Sequence, residues 1–522
     1  MAVVSLIFSP WAFVGVFVSL VVYYVYPYLV TYRHLRHIPA PFPAQFTNWW
    51  LLITARRGSR YATVHELHKK LGPVVRLQPN HVSLCDDEAI QIVYGHGNGY
   101  LKADFYDAFV SIQRGLFNTR DRAEHTRKRK IVSHTFSAKS VAQFEPYIHS
   151  NLELFVRQLD NLITASTAPD RAAHFDCLNW FNYLAFDVIG DLAFGAPFGM
   201  LSSGADLAEV RCSPTSPPIY ASAIEILNRR GEVSATLGTL PALKPYAKYF
   251  PDPFFTQGVK AVQNLAGIAI ARVKARLENP PPAHLQRKDL LQRLMEGRDE
   301  KGEPLGREEL TAEALTQLIA GSDTTSNSSC ALLYHVVRTP GVLRKLQTEL
   351  DTAPGIPEDC DVPTFEMVRD LPYLSAVVNE TLRIHSTSAL GLPRQIPLCK
   401  EGLQYKGWYF PPGTVLSVPA YSVHHSTEIW GPDADEFRPE RWLDGEGEGK
   451  GEGLTARQKN AFVPFSYGPR SCVGRNVAEM EMKLIVATWA RRYDVKLEQE
   501  VMETREGFLR KPLGLDIALT RR

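Results

Sequence analysis

The stretch FVPFSYGPRSCVGRNVA, residues 462–478, places a single cysteine between two glycines and directly before an apolar segment with helical spacing. Cys472 follows Arg470 by two residues, and Gly468 and Gly474 lie on either side of it. The dipole and free amides of a helix N-terminus stabilise a thiolate, the form of cysteine that binds metals. A buried, inert cysteine is commoner in proteins, but it would not require these flanking residues.

Cys472 has no second metal ligand beside it in the sequence. The seven cysteines are widely spaced and form no C-x-x-C pair, which argues against a zinc finger, an iron–sulfur cluster or a disulfide framework. A haem needs only one protein ligand on one face, and glycines let a backbone pass close to a flat group. The cysteine segment therefore favours a haem-thiolate site.

The N-terminal segment differs from the rest of the chain. Residues 2–32 carry no charged side chain, and an apolar helix of this length crosses a bilayer core of about 30 Å. Arg33 and Arg36 follow and favour the cytosolic side, while the features of a cleavable signal peptide are missing or weak. We therefore expect a retained membrane anchor at 1–32 rather than a buried core helix. A proline-rich linker at 33–45 should form a stiff, extended spacer.

The remaining chain, residues 46–522, is long enough for a large enzyme domain. The hydrophobic content of the full 522-residue sequence, 45%, is ordinary for a globular protein. A net charge of +2 argues against nucleic-acid binding driven by bulk charge. We expect one mostly helical domain with short strands near both ends, and a solvated loop at DGEGEGKGEG, residues 444–453.

A long helix is predicted for residues 307–338, which lack proline and are followed by one two residues later. The sequence AGSDTT, residues 320–325, lies in its middle. Gly321 costs about 1 kcal/mol of helix stability relative to alanine, and the Thr324 hydroxyl can bond back to a carbonyl one turn earlier. A glycine beside an acid and hydroxyls invites a ligand to approach the backbone. Alternatively, Asp323 is solvated and the threonines are merely tolerated.

A second helix is predicted for LPYLSAVVNETLRIHS, residues 371–386, with a proline in its first turn. Glu380 and Arg383 are three residues apart on one face and can form an ion pair. An exposed pair would contribute little. Arg441, in FRPERW at residues 437–442, would close a Glu–Arg–Arg cluster beneath the cysteine segment.

Together these residues resemble the haem-thiolate monooxygenases of the cytochrome P450 family. The family's haem loop is F-x-x-G-x-R-x-C-x-G, and every fixed position matches, at Phe465, Gly468, Arg470, Cys472 and Gly474. The E-x-x-R motif and the oxygen-binding helix motif match as well. The resemblance covers essentially the whole chain. It implies a mainly α fold, a helix-rich triangular domain with small β-sheets, here preceded by one transmembrane helix.

The resemblance also implies haem b as cofactor, with Cys472 as the iron ligand and Phe465 packed beside its sulfur. Glu380, Arg383 and Arg441 match the family's structural triad, which serves folding more than chemistry.

Further positions match residues that bind the haem propionates in this family. Arg394 and Arg470 occupy two of them. The family's W-x-x-x-R has its counterpart in HTRKR, where His125 replaces the tryptophan and Arg129 stands in place. The substitution makes the His125 contact a weaker inference than the one from Arg129.

Three stretches outside these motifs, residues 94–130, 179–200 and 502–515, resemble the fungal benzoate 4-monooxygenases. This implies hydroxylation of benzoate at the para carbon, with Asp323 and Thr324 delivering protons to bound dioxygen. Since the chain carries no nucleotide-binding fingerprint, the electrons of NADPH would come from a separate flavoprotein reductase. The resemblance further implies aromatic catabolism at the endoplasmic reticulum membrane, with the catalytic domain on the cytosolic side. Lys128 and Lys130 are expected to steer the reductase.

By family analogy the substrate pocket draws on four segments: loop 100–120, the long helix with Ala320, the stretch 386–392 and the turn near Phe508. A buried carboxylate needs partners. Arg114 would supply the charge and Thr387 and Ser388 would supply hydroxyl groups, unless Arg114 is simply a surface cation.

Three other functions stay open at this point. The same chemistry would serve another small aromatic acid or a phenol. A haem-thiolate isomerase or dehydratase that uses no oxygen is disfavoured by the acid–alcohol pair at 323–324, and so is a membrane-bound haem sensor without catalysis.

Overall fold

The computed structural model of this 522-residue chain describes residues 10–280, 287–299, 302–443 and 453–522. The predicted loop at 444–453 lies almost entirely outside the described residues, and so does the start of the predicted anchor.

The helices, numbered in chain order, fill most of the described chain. They are α1 (Pro10–Tyr26), α2 (Trp49–Arg57), α3 (Arg60–Leu71), α4 (Asp87–Tyr94), α5 (Arg122–Ser133), α6 (Ala138–Val141), α7 (Glu145–Ala165), α8 (Cys177–Phe194), α9 (Met200–Ser203), α10 (Ala223–Gly238), α11 (Pro253–Glu278), α12 (Leu290–Glu296), α13 (Arg307–Arg338), α14 (Val342–Thr352), α15 (Phe365–Val368), α16 (Pro372–Ile384), α17 (Ala420–His424), α18 (Thr427–Trp430), α19 (Ala456–Ala461) and α20 (Arg475–Arg492).

The strands are short and form small sheets. They are β1 (Val74–Gln78), β2 (His81–Leu84), β3 (Leu101–Lys102), β4 (Ala173–Asp176), β5 (Ala208–Val210), β6 (Ile219–Ala221), β7 (Arg394–Gln395), β8 (Leu403–Tyr405), β9 (Trp408–Phe410), β10 (Val415–Ser417), β11 (Tyr493–Leu497), β12 (Thr504–Glu506), β13 (Arg510–Pro512) and β14 (Asp516–Arg521). One sheet has the order β1-β2-β10-β7-β3 and another β11-β14-β4, while β5–β6, β8–β9 and β12–β13 form hairpins. The sequence predicts strands near both ends of the body, but β4, β5 and β6 lie mid-chain.

Helix α13 runs through the main apolar core and has the predicted bounds. It packs against α8, α11, α16 and α20, and buried side chains occur along its whole length. At Gly321 the approach of α8 is close, since a Cβ there would lie 2.6 Å from Cδ1 of Ile189. The glycine therefore allows two helices to pack, which is a different role from the predicted approach of a ligand to the backbone.

The N-terminal helix is continued by a π-helical turn at Pro27–Thr31. The segment Phe13–Thr31 is long and apolar enough to span a membrane, with a mean hydropathy of 1.9 and no burial inside the protein.

Residues 33–45 are not the free spacer that their prolines predict. Leu35 and Ile38 are buried in a second apolar core built on the five-stranded sheet. The Arg76 guanidinium donates to the carbonyl of Leu35 at 3.2 Å, and its backbone N–H donates to the carbonyl of Pro39 at 2.8 Å. The segment is thus fixed to the body by packing and by backbone hydrogen bonds.

The β12–β13 hairpin brings distant residues to the centre of the molecule. Its register pairs Arg505 with Lys511 and Glu506 with Arg510, which puts Phe508 at the tip of the turn. Strand β13 lies against α13, so the tip reaches the middle of that helix.

Candidate functional site

The cysteine segment is a tight turn followed by a helix. Gly468 has a φ of 72°, and a Cβ there would meet the carbonyl oxygen of Tyr94 at 1.9 Å, so only glycine fits. The amide of Cys472 donates to the carbonyl of Phe465 at 2.9 Å. Gly474 caps α20, and its backbone N–H donates to the Cys472 thiol. The sulfur is therefore held in one position at the start of a helix.

Cys472 is surrounded by protein but keeps solvent-accessible surface, in contrast to the buried Cys177 and Cys330. Burial raises the pKa of its thiol, whereas the Gly474 amide and the nearby Arg129 guanidinium lower it. A sulfur that only filled the core would have no accessible surface. Cys472 therefore lines a cleft, and the interpretation as an inert core cysteine does not fit.

Basic side chains converge beside this sulfur, namely Lys102, His125, Arg129, Arg394 and Arg470. The three arginines donate to oxygens of the protein: Arg129 to the carbonyl of Ser471 at 2.6 Å, Arg470 to that of Thr119 at 2.7 Å, and Arg394 to the Tyr106 hydroxyl at 2.9 Å. In the described part of the chain none of the five forms an ion pair with an acidic side chain.

The electrostatic effect of this cluster is large. Burial and the charges of Arg470 and Lys102 lower the pKa of His125 to about 3. Burial, Arg394 and Arg470 hold the pKa of Lys102 well below its ordinary value. Buried positive charge without a counterion is costly, so the cluster is suited to bind an anion. The two propionates of a haem over Cys472 meet this requirement, and the residues present fit that cofactor.

One face of α13 also keeps accessible surface, although the helix runs through the core. In the middle of the helix Thr316, Ile319, Ala320 and Thr324 keep accessible surface while most of their neighbours are buried, and their spacing places them on one face. Ala320 is exposed although it lies mid-helix. The Thr324 hydroxyl donates to the carbonyl of Ala320 at 2.7 Å, as predicted for a threonine inside a helix.

Asp323 is buried, which excludes the interpretation of a solvated carboxylate. Its Oδ2 forms an ion pair with Nζ of Lys511 at 2.6 Å, and its Oδ1 accepts from the Asn327 amide at 3.2 Å. Lys511 also donates to Oδ1 of Asn228. Asn228 lines a crevice of about 310 Å³ together with polar side chains of α10. A chain of polar groups thus runs from Asp323 to this crevice.

The Glu–Arg–Arg cluster forms as predicted, and it is buried. The Arg383 guanidinium donates to both oxygens of Glu380, at 2.8 and 2.9 Å, and Nε of Arg441 donates to Oε1 at 2.9 Å. Burial alone would raise the pKa of Glu380, but these two arginines hold it below its ordinary value. Arg383 also donates to the carbonyls of His424 and Ala434, so the cluster joins α16 to the segments that precede the cysteine loop.

Three phenylalanines from distant parts of the chain stack edge to face. The ring of Phe508 lies 5.0 Å from that of Phe109 and 5.2 Å from that of Phe117. The loop that carries Phe117 packs on α13, where a Cβ on Gly115 would lie 2.5 Å from Oγ1 of Thr316. Loop 100–120 and the hairpin turn, two of the segments from which the substrate pocket was predicted to draw, therefore form one aromatic wall of Phe109, Phe117 and Phe508.

Arg114 does not fit the role of carboxylate partner. Its side chain is exposed, and it forms an ion pair with Asp107 at 2.8 Å. It also donates to the carbonyl of Asn118 at 3.1 Å. These contacts favour the alternative, in which Arg114 is a surface cation. Thr387 is buried and shares a hydrogen bond of 3.0 Å with Ser328, whereas Ser388 is half-buried.

Lys128 does not face a docking partner either. It is buried between two carboxylates of α13, with Nζ 3.4 Å from Glu313 and in contact with Glu309. The steering role predicted for it is wrong, because its charge is already compensated inside the protein. Lys130 is exposed and keeps that prediction.

Sequence reasoning missed Lys102 and helix α10. Lys102 joins the basic cluster because β3 pairs with β7, which places Lys102 opposite Arg394. The only local signal was a lysine beside two apolar residues, which does not specify its partner. Helix α10 borders the aromatic wall, because the guanidinium of its Arg230 lies 5.2 Å from the centre of the Phe109 ring.

Comparison with known proteins assigns this architecture. The family model described as Cytochrome P450 matches residues 39–519. The chain is 62% identical over 521 residues to the protein named "Benzoate 4-monooxygenase bphA" of Aspergillus niger, covering 99% of both chains. It is 32% identical to a "Cytochrome P450 monooxygenase" of Aspergillus terreus, over 90% of this chain and 92% of that one. It is also 32% identical to "Cytochrome P450 monooxygenase cicH" of Emericella nidulans, over 94% of both.

Proposed function

The chain belongs to the cytochrome P450 family, and from that premise we propose that it hydroxylates benzoate at the para carbon to give 4-hydroxybenzoate. The observation that carries the proposal is the 62% identity, over 99% of both chains, to a protein named benzoate 4-monooxygenase. The aromatic wall of Phe109, Phe117 and Phe508 supports it, because a benzene ring packs well against such edges.

Cys472 would bind the haem iron through its thiolate, and the basic cluster of Lys102, His125, Arg129, Arg394 and Arg470 would hold the propionates. When bound, the haem supplies the iron that activates dioxygen for insertion of one oxygen atom into a C–H bond. Phe465 and Gly474 fix the sulfur through their backbone groups, so the ligand keeps its orientation.

Protons for this chemistry reach the cleft through Asp323. Its carboxylate takes a proton from the Lys511 side, which Asn228 connects to the crevice beside α10, and passes it to the Thr324 side of the helix. The Thr324 hydroxyl stays oriented by its bond to the Ala320 carbonyl, which leaves its oxygen able to accept a hydrogen bond in the cleft.

Electrons come from a separate NADPH-dependent flavoprotein reductase, and Lys130 contributes to the face that receives it. The apolar segment Phe13–Thr31 anchors the chain in the endoplasmic reticulum membrane in a single pass. Arg33 and Arg36 just after it keep the catalytic domain in the cytosol.

Two measurements on one preparation of the full chain test the proposal. The reduced carbon-monoxide difference spectrum should show a thiolate-ligated haem, and Cys472→Ser should lose that signature. With a flavoprotein reductase, NADPH and benzoate, the product should be 4-hydroxybenzoate. A haem-loaded protein that ignores benzoate but converts a phenol or another aromatic acid would reject the substrate while keeping the reaction class.

A further inference from the structure

The face of α10 that lies against the aromatic wall carries a buried arginine with few hydrogen-bond partners. Arg230 is 5% exposed. In the described chain its guanidinium makes one hydrogen bond, from Nη2 to the carbonyl of Phe109 at 3.3 Å, and its Nε has no acceptor. Arg76, which is also buried, differs because Nε, Nη1 and Nη2 all donate to backbone carbonyls.

The charges around Arg230 leave an excess of positive charge. Asp323 is the acidic group whose charge acts on Arg230, but that carboxylate is already paired with Lys511 at 2.6 Å. Lys244 adds a further cation close enough for its charge and that of Arg230 to repel each other, and the carboxylate that acts on Lys244, Asp107, is already paired with Arg114 and Arg120. Both carboxylates near Arg230 are therefore already paired with other cations, and an additional anion would balance the remaining positive charge.

Arg230 also lies where a small aromatic acid would need it. Its guanidinium is 5.2 Å from the ring of Phe109, which stacks with Phe508. Asp323, one residue before Thr324 on α13, is close enough for its charge to act on Arg230. Ser234, one turn further along α10, is buried as well, and its hydroxyl has no hydrogen-bond partner among the described residues. One end of this region is aromatic and the other end is cationic.

We propose that Arg230 binds the carboxylate of the substrate, with Ser234 as a second donor, while the ring of the acid packs against Phe109 and Phe508. The inference rests on the proposed function and adds to it the group that makes the enzyme specific for an anionic ring. An arginine presents two parallel donors to a carboxylate, so it fixes the direction of the ring as well as its charge. The para carbon, opposite the carboxylate, then points away from α10.

The test compares Arg230→Met with the neighbouring Arg229→Met as a matched control. Arg229 precedes it on α10, is half-exposed, and is paired with Glu232 at 3.0 Å. Benzoate and its uncharged analogue benzamide are titrated into each ferric holoprotein, and the spectral shift gives Kd. We expect Arg230→Met to weaken benzoate binding by about tenfold to a hundredfold. Its affinity for benzamide should change by less than about threefold, and Arg229→Met should match the wild type for both ligands.

A conservative variant and a product analysis separate recognition from folding. Arg230→Lys keeps the charge and should restore part of the benzoate affinity. In Arg230→Met the hydroxylation of benzoate should also lose its restriction to the para position, because the ring is no longer oriented. If Arg230→Met fails to incorporate haem, Arg230→Lys and Arg230→Gln are compared instead, and Gln should show the loss of benzoate affinity that Lys avoids.

Unchanged benzoate affinity in the charge-removing variant, or an equal loss for benzoate and benzamide, would overturn the assignment of Arg230. Failure of the proposed function looks different. In that case the wild-type protein itself gives no spectral shift with benzoate and no 4-hydroxybenzoate.

Discussion

At the scale of single residues, the proposed proton route uses side chains that already have hydrogen-bond or ion-pair partners in the fold. The Thr324 hydroxyl donates to Ala320, and Asp323 is paired with Lys511. The motif at 320–325 shows the acid and the alcohol, but the cation that holds the acid lies 188 positions further along the chain. Which partner a motif residue uses is therefore decided by tertiary structure.

Replacing Lys511 with methionine should slow turnover even when substrate is saturating. The variant leaves Asp323 without its cation and breaks the connection to Asn228, so proton transfer becomes limiting. We expect turnover at saturating benzoate to fall by about tenfold or more, with a larger solvent deuterium isotope effect. Lys496→Met, at an exposed position of β11, is the control. Unaltered turnover and isotope effect would remove Lys511 from the proton route.

At the scale of elements, α13 is the part of the fold that sequence predicts best. Its bounds, Arg307–Arg338, follow from the absence of proline and the proline just beyond it. The role of Gly321 was not predictable, because it depends on Ile189, which lies on another helix. The same limit applies to Lys102 and Arg230, whose functions arise only from strand pairing and helix packing. Local periodicity gives an element and its ends, but not the surface it meets.

Gly321→Ala should destabilise the protein although alanine favours helices. The added Cβ would lie 2.6 Å from Ile189, and such overpacking costs about 1–3 kcal/mol, more than the gain of about 1 kcal/mol in propensity. Thermal unfolding followed by circular dichroism should show a lower midpoint, which Ile189→Ala in the same chain partly restores. Gly231→Ala, in α10 with no atom within 4 Å of the new Cβ, should be neutral or stabilising. A stable Gly321→Ala protein would contradict the packing role.

The interface of α13 with α20 should make stability depend on pH. Glu481 accepts from the Thr325 hydroxyl at 2.9 Å, and burial raises its pKa to about 7, against an ordinary value of 4.5. The native state therefore keeps a proton that the unfolded chain releases, so this carboxyl lowers stability as pH rises from about 4.5 to about 7.

Glu481→Gln should remove this dependence. At pH 8 the variant should be more stable than wild type by about 1–3 kcal/mol, and at pH 4.5 the two should be alike. Denaturant unfolding at both pH values measures the difference. Glu479→Gln, on the same helix and paired with Arg475, should show no such pH-dependent gain, and an equal gain from both substitutions would exclude a specific effect of Glu481.

At the scale of the whole molecule, the apolar N-terminal segment and the catalytic body are joined by packed residues. The sequence predicts the apolar segment, the haem loop and the Glu–Arg–Arg cluster, because each is a local pattern with a known physical meaning. It does not predict that Leu35 and Ile38 enter the core, because their proline-rich surroundings look like an exposed spacer. The boundary between segment and body therefore lies before residue 35.

Two truncations should distinguish a free spacer from a packed one. A chain starting at Arg33 should keep its thiolate-haem spectrum and its thermal midpoint, because Leu35 and Ile38 remain. A chain starting at Ala40 loses both buried side chains, each worth about 2–5 kcal/mol as a core residue, and should unfold at a lower temperature. Equal midpoints for the two truncated proteins would show that residues 33–39 contribute nothing to the body.

With Phe13–Thr31 in a bilayer as proposed, the packing of residues 33–45 would also fix how the enzyme sits on that bilayer. The ring of Tyr28 lies 4.6 Å from that of Phe46, and the Arg76 guanidinium lies over the rings of Tyr28 and Tyr32. These contacts fix the end of the apolar helix to the catalytic body. A body held this way would not rotate freely about the end of the helix, and one flank of it would stay turned toward the lipid. Small aromatic acids that gather at the water–lipid boundary would then always encounter that flank first.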